Sequence, residues 1–121
     1  MKTGVGMQEN TVATEAVAQH KSKIEKIAAE KGKGLGAFLS RLINQGGGSD
    51  EILGVAEALL DAGVTFTEDH REVLALPLGV ATIEVATEYP EHRWARFAAI
   101  ARFVDRIHGI KETTATLKEA A

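Results

Sequence analysis

Residues Val73 to Ile107 read VLALPLGVATIEVATEYPEHRWARFAAIARFVDRI, a long run rich in bulky apolar side chains that also holds the only tryptophan. No charged residue occurs from Val73 to Ile83, and the apolar positions of Leu78 to Tyr89 spread almost all round a helical wheel. Such a pattern predicts a helix buried on most sides, with Glu84 and Glu88, one turn apart, as its only charged stripe. Pro90 disfavours helix at the residue before it yet suits the first turn of a new one. Two consecutive central helices are therefore expected on either side of Pro90.

The same stretch also fits a strand, because Ile83, Val85, Thr87 and Tyr89 alternate with Thr82, Glu84, Ala86 and Glu88. A strand needs partners, and only Val64 to Thr67 resembles one elsewhere in the second half. Helix is the expected reading.

Working outward, the 121 residues suffice for one domain with its own core. The chain has no cysteine, which excludes disulfides, thiolate metal sites and cysteine nucleophiles. No segment has the apolar core of a signal peptide or the length of a membrane span, so a cytoplasmic protein with no membrane contact is expected. Charge is unevenly spread. Residues 1–46 balance at +3, residues 50–91 at −9 and residues 92–121 at +3, giving the net −3. Acidic middle and basic ends can neutralise one another within the fold or between copies, or a basic end can face a polyanion.

In chain order, residues 1–13 are polar and glycine-containing, and read as a flexible segment. Thr14 and Glu15 open an expected helix to Lys31, with Val17, Ile24, Ile27 and Ala28 on one face. Gly32, Gly34 and Gly36 form a turn, and Ala37 to Gln45 read as a short amphipathic helix. The triple glycine at 46–48 is a candidate hinge. Ser49 is the expected N-cap of a helix running to Ala62, with Asp50 and Glu51 at its positive end and Gly63 as its stop. Thr67 opens a further helix expected to end before Pro77. From Pro90 the last long helix carries Trp94, Phe97, Ile100, Val104 and Ile107 on a wide apolar face, and Gly109 ends it. Residues 110–121 read as a tail or one more short helix. The expected architecture is all-α: a small single-domain bundle of about five to six helices over residues 14–109.

Few patterns suggest chemistry. The segment GKGLGA, Gly32 to Ala37, matches the glycine spacing of a dinucleotide-binding turn, but a helix precedes it where that motif needs a strand. It is no phosphate-binding loop either, since Ile27 and Gly34 occupy positions that would require glycine and a hydroxyl residue. The four histidines are scattered, without H-E-x-x-H or paired E-x-x-H motifs, so no metal or other cofactor is expected. No serine lies in a nucleophile-elbow setting. Glu84, Glu88, His92, Arg93 and Arg96 bracket the proline break and form a candidate polar seam where the two central helices meet.

The run KIEKIAAEKGKGLGAFLSRLINQGG, Lys23 to Gly47, resembles the helix, glycine turn and second helix of ribbon-helix-helix DNA-binding proteins. The resemblance covers about a fifth of the chain and implies a dimer that places a short strand in the major groove. The corresponding stretch here, Gln8 to Thr14, has Val12 as its one strongly β-forming apolar residue and no basic residue. Lys21, Lys23, Lys26, Lys31, Lys33 and Arg41 would then be the phosphate contacts. The expected function is a non-enzymatic helical interaction or assembly module that associates with itself. The alternative is a small DNA-binding accessory or regulatory protein using the basic N-terminal hairpin.

Overall fold

A computed structural model describes residues 5–87 and 90–110. Among these, seven α-helices occur and no strand: α1 (Val5–Gln19), α2 (Lys21–Ala29), α3 (Leu35–Asn44), α4 (Ser49–Asp61), α5 (Glu68–Val73), α6 (Ala75–Ala86) and α7 (Pro90–Ile107). The all-α expectation is met with one or two more helices than the sequence suggested.

The extra helix comes from a break that no glycine or proline announces. The helix expected from Thr14 to Lys31 is two helices, the first starting already at Val5 and the second separated from it at His20. The amide of His20 still bonds the carbonyl of Ala16 at 3.1 Å, and its ring packs edge-on against Phe38 with centroids 5.5 Å apart. The break expected just before Pro77 falls slightly earlier, at Leu74, between α5 and α6. Pro77, expected to mark a helix end, lies inside α6. It is the third residue of that helix, where a backbone N–H has no intrahelical acceptor to lose.

Several helices end in the same way. At the end of α2 the amide of Gly32 reaches back to Ile27 O at 2.8 Å and that of Lys31 to Ala28 O at 3.1 Å, the two bonds of a Schellman cap. Lys31 takes the left-handed position (φ 59°) that glycine usually fills. After α4 the motif recurs, with Gly63 left-handed and Val64 bonding Leu59 O at 3.0 Å, and both side chains of that contact are buried. The triple glycine joins two caps back to back. Gly46 and Gly47 close α3, and the amide of Gly48 donates to Glu51 Oε1 at 2.9 Å to open α4. Gly48, not Ser49, is thus the N-cap residue.

The centre of the bundle belongs to α4. Its residues Ile52, Val55, Ala56 and Leu59 are buried, and α1, α2, α3, α6 and α7 all pack against it. Around them lie Ile24, Ile27, Leu35, Phe38, Leu39, Phe66, Leu74, Phe103 and Ile107. The two helices flanking Pro90 form as expected and pack on each other, but they are not the buried centre. Helix α6 buries Pro77, Ala81 and Val85, and α7 buries Phe103 and Ile107. A bundle of this size encloses one helix, and α4 fills that place. Leu76, Ile83 and Trp94 are 63%, 68% and 79% exposed.

Polar contacts fix the directions of these helices. Asp50 and Asp61, at the two ends of α4, pair with Arg96 at 3.6 Å and Arg106 at 2.8 Å, so α4 and α7 run parallel. Ser49, at the start of α4, donates to Glu84 near the end of α6 and joins these two helices. Arg71 ties the start of α5 to the end of α7, donating to Phe66 O at 3.0 Å and Ile107 O at 3.4 Å.

Candidate interaction surface

The polar seam expected around Pro90 is assembled partly from residues that the sequence did not nominate. Glu84 accepts a 2.8 Å hydrogen bond from the hydroxyl of Ser49, which is 8% exposed. Arg96 pairs with Asp50 on the next position of α4. His92 and Arg93 lie half-buried on α7, and Glu88 falls outside the described residues. The seam therefore runs from α6 across the first turn of α4 to α7 and holds three helices in register. The hint was available in Ser49-Asp50, which sequence reasoning assigned only to capping.

Two further groups stand in shifted environments. Glu57 on α4 has its carboxyl pushed above the usual range by partial burial and by Asp61, with Arg106 and Arg102 acting in the opposite direction. His70 forms an unusual capping box with Thr67: the Thr67 amide donates to His70 Nδ1 at 3.1 Å, and the His70 amide donates to Thr67 Oγ1 at 3.3 Å. Burial lowers the pKa of the imidazole, against the opposing charge of Asp69. The ring stands edge-on to Phe66 and beside Gly36 of α3, so it closes a joint rather than facing a cavity.

Concave features are modest. A crevice of about 190 Å³ opens where α1, α3 and α4 meet, lined in part by Ala16, His20, Leu42 and Ile52. Another of about 210 Å³ lies beside α6, between Ile43, Ile52, Leu76, Pro77 and Val80, with Glu84 at its edge. Both are below the size that ordinarily encloses a small-molecule ligand. The trough of about 410 Å³ between α1 and α4 is larger but open. Among the described residues no group of three His, Cys, Asp or Glu side chains could hold a metal ion, and no helix is long and apolar enough to cross a membrane.

The surface itself is more distinctive. Ile83 is exposed on the side of α6 away from the buried Pro77, Ala81 and Val85, and Leu76 and Val80 are exposed at the rim of the crevice facing α3 and α4. Trp94 is exposed on the first turns of α7. These residues were read as core, and their exposure is the largest departure from the sequence reading. The signal was present in the pattern. Helix α6 carries apolar residues on a buried face at Pro77, Ala81 and Val85 and others at Leu76, Val80 and Ile83, more apolar surface than its neighbours α4, α5 and α7 cover.

The basic residues of the N-terminal half are placed along α2, the following turn and α3. Lys21, Lys26, Lys31, Lys33 and Arg41 are exposed and Lys23 is half-buried, while Glu25 and Glu30 interleave with them. Lys21 and Glu25 are 4.0 Å apart and both largely exposed, a pairing that contributes little to stability. The stretch Gln8 to Thr14, which would supply the groove-reading strand of a ribbon-helix-helix protein, lies within helix α1. Compared with known protein families, curated proteins and solved structures, the chain matches none.

Proposed function

We propose that this chain is a non-enzymatic helical interaction module that associates with itself through the outer face of α6 and α7. The observation that carries this reading is the exposure of Leu76, Ile83 and Trp94 on two adjoining helices. Single exposed apolar side chains are ordinary on a protein surface, but a row of large ones on one helix marks a contact surface. Tryptophan is among the residues most enriched at the centres of interfaces. The small crevices and the engagement of Glu84 and Arg96 in holding helices together support an interaction role over catalysis.

Static light scattering over a concentration series tests this. A mass rising from the 12.9 kDa of one chain toward twice that value supports the proposal, and a constant 12.9 kDa at high concentration refutes it.

A second reading, a small DNA-binding accessory or regulatory protein, rests on the exposed Lys21, Lys26, Lys31, Lys33 and Arg41. It predicts duplex binding that weakens steeply with salt, since phosphate contacts release counterions. Fluorescence anisotropy with a labelled random duplex at low and near-physiological salt is the test. Binding that survives replacement of Lys21, Lys23 and Lys26 by alanine would count against these residues as the contact.

A further inference from the structure

Leu76, Val80, Ile83 and Thr87 follow one another at steps of four, three and four residues. This alternation is the seam spacing of a coiled coil, which keeps one stripe facing a partner helix along its length. Beside the seam, in the middle of α6, Gly79 has open space where a side chain would begin. Glycine disfavours a helix interior relative to alanine, and nothing in the protomer fills that space. A second backbone passing closely over α6 would use it.

We propose that the occupant is a second copy of this chain: the α6 helices of two protomers pair antiparallel across a two-fold axis beside Val80, with Leu76 of each opposite Ile83 of the other. This rests on the self-association reading above and specifies its geometry. Charge selects the direction. Between Glu72 and Glu84 the chain carries no charge, so the seam is free of ionic groups. A parallel pair would set two negative helix C-termini side by side, whereas the antiparallel pair places each negative end near the partner's positive helix start. Self-pairing through one patch is the isologous arrangement of a two-fold dimer.

The area is consistent with a dimer of this kind. The exposed parts of Leu76, Val80 and Ile83 together with that of Trp94 on the adjoining helix amount to roughly 500 Å² per protomer, so a pair that covered all four would bury about 1,000 Å², near the lower limit for a specific interface. Association is therefore expected to be reversible and concentration-dependent.

The absence of native cysteine permits a direct test. Single variants Val80→Cys, Leu76→Cys and Ile83→Cys are oxidised under mild conditions, alone and mixed, with light scattering on the unmodified chain and circular dichroism on each variant to confirm folding. The proposal predicts a covalent dimer from Val80→Cys alone, and from Leu76→Cys mixed with Ile83→Cys. Leu76→Cys alone and Ile83→Cys alone should not cross-link, because like positions in the antiparallel pair are displaced by about 10 Å along the helix, beyond disulfide reach. Cross-linking of Leu76→Cys with itself and Ile83→Cys with itself would overturn the antiparallel register. No cross-link despite a dimer mass would overturn the seam while leaving self-association through another face standing. A monomer mass would overturn both.

Discussion

Gly54 on α4 and Ala13 on α1 meet with no room between them: a Cβ on Gly54 would lie 2.7 Å from the Ala13 Cβ and 3.2 Å from its Cα. Helix α1 shares its most extensive interface with α4, so this contact sets how closely the first helix lies against the central one. Gly54 is thus a packing requirement within a helix that would otherwise favour alanine.

Gly54→Ala should therefore destabilise the protein even though alanine is the better helix former. Overpacking of a well-filled contact costs about 1–3 kcal/mol, against a propensity gain of about 1 kcal/mol, so a net loss of about 1 kcal/mol is expected. Adding Ala13→Gly should recover part of it by making room. Urea denaturation of the single and double variants measures both, and a gain in stability for Gly54→Ala would show that α1 is free to move away.

The Thr67–His70 capping box should respond to pH. His70 Nδ1 can accept the Thr67 amide only when that nitrogen carries no proton, and protonation removes the acceptor. Its pKa in the fold is lowered from 6.5 by burial, so its contribution is fully present above the unfolded value and is lost as pH falls from there through the folded value. Stability should decline across that window in the wild type. In His70→Gln, whose amide oxygen accepts at any pH, the His70 share of the decline should vanish. Denaturation midpoints between pH 8 and 5, about the histidine range, compare the two; identical profiles would contradict the assignment.

The Ser49–Glu84 bond joins a buried hydroxyl on α4 to the carboxylate of a solvent-exposed residue on α6. Ser49→Ala leaves a carboxylate that water can solvate and should cost about 1 kcal/mol. Glu84→Ala leaves the buried hydroxyl without this acceptor and should cost at least as much. Neither change should alter the association state. A Glu84→Ala variant of unchanged stability but altered association would make this residue part of the contact surface.

Core and surface apolar residues should separate cleanly by mutation. Leu59→Ala, at a fully buried position of α4, should cost about 2–5 kcal/mol. Ile83→Ala at a concentration where the protein is monomeric should change stability by less than about 0.5 kcal/mol. Comparable losses at both positions would place Ile83 in the core after all.

These contrasts also explain what could be read from the sequence. The α4 helix was legible because its apolar face, acidic first turn and Gly63 stop all agree. Thr67 capping α5 and glycines ending α3 and α4 were legible for the same reason. The break at His20 was not, because no residue there opposes helix, and the Pro77 signal misled because a proline in a first turn is compatible with helix. Burial of α6 was misjudged for a different reason. Periodicity reports that a face is apolar, while whether a neighbour covers it depends on how many helices the bundle can surround. Glu84 and Arg96, grouped from the sequence at the Pro90 break, bond Ser49 and Asp50, which are 35 and 46 residues away, a separation that no local pattern encodes.

The central claim is that the exposed face of α6 and α7 is a self-association surface. Sedimentation velocity of the wild type beside the Leu76→Glu/Ile83→Glu double variant, over a wide concentration range, tests it most directly. The account predicts a wild-type boundary that moves from monomer toward dimer with concentration, and a variant of unchanged helicity that remains a monomer throughout. A wild type that stays monomeric, or a folded variant that associates as the wild type does, would contradict it.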